Sequence, residues 1–229
     1  MTRVSNLKAR AGLLGVGLLA TLLVLALSAC SEGGSEGGNK ARPLPEDHPQ
    51  ALSPGKYHST EFEPPLSFEV GKSWEHTEKQ RSDFIELGWE EETGALNFAN
   101  VEEVFKPGTM KVIDAPQDLV GWLQEHPYLK TSKPQPVTIG GVKAQQLDVV
   151  VDHMPEGYYG DCGLDCMHVF YQSGGGYFNA IDRERRVFVF EDVKGETVVI
   201  WFASEADETF DKFAPEAQKV VDSVKWSGS

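Results

Sequence analysis

A chain of 229 residues, 40% of them hydrophobic, has enough apolar material for one domain with a substantial core even after a leader is set aside. Its 35 acidic and 21 basic side chains give a formal net charge of -14. Such an acidic surface repels phosphate backbones and anionic headgroups, so nucleic acid is excluded from the expected partners.

Residues 1–10 carry Arg3, Lys8 and Arg10 without an acid, and residues 11–29 carry no charge. A basic start, an apolar run and small residues before a break are the parts of a secretory signal. The run approaches the ~20 apolar residues of a membrane span, so its length alone does not exclude a retained helix. Its ending decides. Leu27-Ser28-Ala29-Cys30 resembles the lipobox of bacterial lipoproteins. The resemblance implies cleavage after residue 29 and a diacylglyceryl group on the Cys30 thiol. Two acyl chains hold a protein stably where one holds it marginally. Residues 1–29 are thus expected to be a lipoprotein signal peptide. The mature protein is expected to sit lipid-anchored and extracytoplasmic at the cell membrane or outer membrane. Ser31 is compatible with outer-membrane sorting in a cell that has an outer membrane. Without residues 1–29, 18 basic and 35 acidic side chains remain, a net charge near -17.

Ser-Glu-Gly-Gly then occurs twice, at 31–34 and 35–38, followed by a stretch rich in proline. Gly, Ser, Glu and Pro without aromatics bury too little apolar surface to order. Residues 30–56 are therefore expected to be the lipidated Cys and a disordered linker, spanning roughly 25–30 Å r.m.s.. A single globular domain is expected over 57–229.

Within that domain, Leu66, Phe68 and Val70 alternate with polar residues and predict a half-buried strand, followed by a turn over 71–74. Residues 84–89 and 96–105 predict the next two strands. Pro116 and Asp118 precede an apolar stripe of Leu119, Val120, Trp122 and Leu123, predicting a short helix that His126-Pro127 ends. Gly140-Gly141 between two β-branched runs predicts a hairpin whose return strand continues through Val151. Residues 152–163 read as irregular. Residues 167–172, 185–190 and 197–203 predict three more strands. Phe210, Phe213, Ala217, Val220 and Val221 fall at helical spacing, with Pro215 expected to end or kink the helix. Val224-Lys225-Trp226 predicts a short closing strand.

Many strands and a few helices without strict alternation predict an α+β fold: a mainly antiparallel sheet with packed helices. The ending Phe210-Asp211-Lys212-Phe213 to Val224-Lys225-Trp226 resembles the C-terminal helix and closing strand of the Mog1/PsbP-like α/β/α sandwich group. The opening Tyr57 and Phe68-Glu69-Val70-Gly71-Lys72-Ser73-Trp74 resembles that group's first strand and following turn. The resemblance implies a domain that binds other proteins or has no known activity, and it brings no catalytic set.

One segment gathers chemistry. Asp161-Cys162-Gly163-Leu164-Asp165-Cys166-Met167-His168 holds two thiols, two acids and an imidazole, and His153 lies nine residues before Cys162. With Cys30 assigned to lipid, Cys162 and Cys166 are the remaining pair in an exported compartment, and the main reading is a disulfide pinning a glycine-rich loop. A zinc or copper site of Cys162, Cys166, His168 and His153 is the alternative. A redox-active pair is the third reading, opposed by the flanking acids that raise thiol pKa values. Asp182-Arg183-Glu184-Arg185-Arg186 reads as a solvated strand end with internal ion pairs, with a patch for an anionic ligand or partner as the alternative. No G-x-S-x-G, H-E-x-x-H or EF-hand loop occurs. The expected function is a non-enzymatic, surface-tethered protein- or ligand-interaction domain without cofactor, meeting the membrane through its lipid and an envelope protein through its body. The alternative is a metal- or solute-binding lipoprotein serving a transporter or envelope complex.

Overall fold

A computed structural model describes residues 40–90, 93–158, 167–172, 184–204 and 207–227. Cys30, Cys162 and Cys166 lie outside the described residues, as do Asp182 and Arg183. Ordered strands begin at Arg42, well before Tyr57. The stretch read as the end of a disordered linker carries β1 (Arg42–Pro43) and β2 (Gln50–Leu52). Two apolar anchors, Leu44 and Leu52, are buried there. The Arg42 guanidinium lies 4.5 Å from the centroid of the Tyr57 ring and donates to the carbonyls of Ser53 and Pro54. Prolines that already hold the chain extended lose little entropy on docking, so a few contacts suffice.

The chain continues through β3 (Gly55–His58), β4 (Leu66–Val70), β5 (Trp74–His76), β6 (Phe84–Trp89), β7 (Gly94–Asn100), β8 (Glu103–Phe105) and β9 (Val112–Asp114). Helix α1 (Leu119–Glu125) follows. Asp118 caps it by accepting the Gly121 N–H at 2.7 Å. Then come β10 (Leu129–Thr131), β11 (Gln135–Ile139), β12 (Val142–Val151), β13 (Phe170–Tyr171), β14 (Arg185–Val193) and β15 (Glu196–Ser204). Helix α2 (Asp207–Asp222) and β16 (Lys225–Trp226) close the chain. Among the described residues the class is α+β, with two helices and strands that pair antiparallel except β1 with β3.

A nine-stranded sheet runs β10-β12-β14-β15-β7-β6-β5-β2, with β11 continuing the β10 edge beside β12. β14 and β15 bury both faces. Phe188, Phe190, Ile200 and Phe202 point one way, and Val187, Val189, Val199 and Trp201 the other. The first face carries α2 and the small sheet β1-β3-β4-β16. The second carries α1 and the three-stranded sheet β13-β8-β9. The described residues thus form three layers, with this sheet in the middle.

Pro215 lies inside a continuous α2 instead of ending it. Burial explains the difference. Phe213, Ala217, Val220 and Val221 are all at most 1% exposed, and each large apolar side chain so buried contributes about 1.5–3 kcal/mol. Together they outweigh the ~3 kcal/mol a helical proline takes away, and Pro215 itself is on the exposed side. The predicted strand over 167–172 is shorter than expected, because only Phe170 and Tyr171 pair, with β8.

The Gly140-Gly141 turn has φ of +59° and +84°, the two positive values of a type I′ hairpin. A side chain at Gly140 would also meet the Val224 carbonyl at 2.7 Å. Ile139 and Val142 flank this turn as register partners. Ladder bonds to β12 therefore fall on Ile139, Val137 and Gln135, and Thr138 and Pro136 turn their backbone groups outward. Since proline has no N–H, Thr138 alone offers an outward donor along β11.

Candidate functional site

The second face of the central sheet brings together most of the chain's uncommon side chains. Three segments meet there: the β8–β9 loop with Met110, the stretch after β12 ending at Tyr158, and Met167–Val169 leading into β13. Their meeting point is the Tyr158 phenol oxygen. It accepts the His168 backbone N–H at 3.1 Å, lies 2.9 Å from His168 Nδ1 and 3.4 Å from Met110 Sδ. With a proton on Nδ1, the phenol accepts two hydrogen bonds and donates its own proton to sulfur. With Nδ1 bare, the phenol proton goes to the ring instead. The His168 ring is buried and sits 4.9 Å from that of Phe105, whose other neighbour is Tyr171 at 5.7 Å. Met110 and Tyr171, at 44% and 36%, are the large hydrophobic side chains most open to solvent among the described residues.

Beside this cluster runs an aromatic ladder. Trp122 meets His126 edge-on at 5.1 Å, His126 meets Tyr128 at 6.1 Å, and Tyr128 meets His153 at 5.3 Å. His126 is 3% exposed and accepts the Tyr128 N–H at Nδ1, while Nε2 has no hydrogen-bond partner. Burial lowers its pKa to about 4, so it is neutral near pH 7. His153 is exposed, with Nδ1 3.1 Å from Asp152. Asp152 also pairs with Lys130, and hydrogen bonds from Lys130 and then His153 lower its pKa.

Of the residues the sequence singled out, His168 is therefore sealed inside and engaged by Tyr158, and His153 is at the surface on Asp152. Among the described residues, no group of three or more His, Cys, Asp or Glu side chains is placed to hold a metal ion. The disulfide, zinc or copper, and redox readings of Cys162 and Cys166 fall outside the described residues. Arg186, from the basic spot, pairs with Asp148 across β12 and β14 at 2.9 Å, and Arg185 is buried. Sequence reasoning did not find Met110 or Tyr158. They are 48 positions apart, and no local pattern links a thioether to a distant phenol.

A second feature is a groove of about 710 Å³ along β11, β12 and β14. Pro136, Thr138, Lys143, Gln145, Val189 and Glu191 line it. These positions share one face, since Pro136 stands opposite Gln145, Thr138 opposite Lys143 and Gln145 opposite Val189. The lining mixes apolar surface with one cation, Lys143, and two anions, Glu191 and Asp192, and no nucleophile–base pair stands in it.

No family model matches the chain, and no curated protein matches it. Among solved structures it is similar to cyanobacterial PsbP (CyanoP) from Synechocystis sp. PCC 6803, with 8% identity over 76% of this chain and 94% of that one. The TM-score is 0.41, a level at which the likeness carries no argument, so the fold rests on its own strands and helices. Among the described residues, no helix is long and apolar enough to cross a membrane.

Proposed function

We propose that this chain is a lipid-anchored, extracytoplasmic and non-enzymatic interaction domain, with a Mog1/PsbP-like α/β/α sandwich as its scaffold. It holds an envelope protein in the groove between the β11–β12 hairpin and β14. The groove is the observation that carries the reading. It is open, formed by rigid strands, and lined by Lys143, Glu191, Val189 and Pro136, a composition suited to a peptide surface and without catalytic apparatus. The three layers, the C-terminal helix and the closing strand β16 support the scaffold. The Leu27-Ser28-Ala29-Cys30 ending supports the anchor.

The two halves are tested separately. Intact mass of native protein should begin at Cys30 with a diacylglyceryl increment; Met1 retained with a bare Cys30 sulfur overturns the anchor. A photocrosslinking residue at Lys143 should capture a discrete envelope protein in cells, and one at exposed Lys212 on α2 should not. Identical products from both positions, or none from Lys143, overturn the groove.

A further inference from the structure

We propose that Met110, Tyr158 and His168 form a binding site for a soft monovalent metal ion of the Cu(I) or Ag(I) class. This goes beyond the groove and does not depend on it. Three segments distant in sequence bring a thioether, a phenol and an imidazole together, with the Tyr158 oxygen 3.4 Å from Met110 Sδ and 2.9 Å from His168 Nδ1. The donor chemistry selects the ion. Thioether sulfur is a soft ligand that favours Cu(I), imidazole also suits copper, and hard cations such as Mg²⁺ and Ca²⁺ need the carboxylates this set lacks. All three donors are neutral, so a monovalent ion brings only one charge into the site, and the acidic chain attracts it.

The burial gradient supplies the path. Met110 is 44% exposed, Tyr158 9% and His168 2%. An arriving ion meets sulfur first and reaches the ring nitrogen as the phenol turns its O–H aside, leaving Tyr158 oxygen as a weak third donor. With Nδ1 bare, the metal replaces a hydrogen-bonded proton of the phenol, which keeps that proton, and no net proton leaves. Phe105, 4.9 Å from the His168 ring, restrains the imidazole. That restraint favours a fixed, low coordination number.

The test uses the full chain with Cys30→Ser, Cys162→Ser and Cys166→Ser, which removes the three thiols that would bind the same ions. Cu(I) is titrated without oxygen against a chromogenic Cu(I) chelator, and Ag(I) serves as the redox-silent probe. One equivalent should bind, and Zn(II) should not compete. Met110→Leu, a volume-preserving change at an exposed position, should weaken binding at least tenfold while leaving the unfolding curve in place. Ag(I) should also shift the ring-nitrogen NMR signal of His168, a readout that needs no folded His168 variant. Absence of binding in the Cys-to-Ser chain, undiminished binding by Met110→Leu, or an unmoved His168 signal each overturns the site.

Discussion

Gly94→Ala should destabilise this protein by about 2 kcal/mol, and the reason is one aromatic ring. A Cβ at Gly94 would lie 2.6–2.7 Å from three carbons of the Phe213 ring. Carbon atoms prefer ~3.5–4.0 Å, so the overlap is about 1 Å. The ring has little room to retreat: Trp89, Trp74 and Phe202 surround it at 5.6, 5.9 and 5.9 Å. Forcing extra carbon into such a core costs ~1–3 kcal/mol, and an overlap with three ring carbons at once belongs at the upper end, about 3 kcal/mol. Replacing glycine returns ~0.4–1 kcal/mol through the unfolded state. The balance is about 2 kcal/mol, or ~4–8 °C in Tm for a domain of this size. Urea unfolding followed by far-UV circular dichroism measures it. Phe213→Leu removes the obstructing ring, so Gly94→Ala in that background should cost under about 1 kcal/mol. An equal cost in both backgrounds, or no cost in the parent, would refute the steric reasoning.

Two further perturbations follow from the helices and the buried imidazoles. His126 has a folded pKa near 4, below its unfolded value of 6.5, so between these pH values the unfolded chain binds the proton first. Stability should fall by up to about 2–3 kcal/mol as pH drops from 6.5 to 4, and His76, lowered by its own burial, adds in the same direction. In His126→Phe this part of the slope should vanish; an equally steep loss in that variant would contradict the assignment. Pro215→Ala restores a backbone donor within α2 at an exposed position and should raise stability by ~1–3 kcal/mol, read as a higher urea midpoint with unchanged slope.

The parts of this fold that could be read from sequence are those whose signals are local. Gly140-Gly141 announces its hairpin because two positive φ values in succession suit glycine. The stripe from Phe213 to Val221 announces α2 because burial follows the helical period. Residues 40–56 were misread because their composition is that of a linker, and what orders them is remote: Leu52 enters the core, and β2 pairs with β5. Pro215 does not end the helix, because the tertiary burial of its neighbours, which a propensity rule does not weigh, holds it together. His168 could be named from its surroundings in sequence. Its partners could not, since Met110 and Tyr158 reach it only through the packing of the β8–β9 loop and the stretch after β12 against the sheet.

Proteins confined to a surface meet one another far more often than the same number free in volume, and an open β edge under those conditions invites runaway stacking into fibrils. The border formed by β11 resists this through Pro136, which leaves a docking strand only one donor to grip. Pro136→Thr would add a second grip at little expense to the fold, turning a sociable border into a sticky one. Along β11, the difference between one outward donor and two thus rests on a single imino acid.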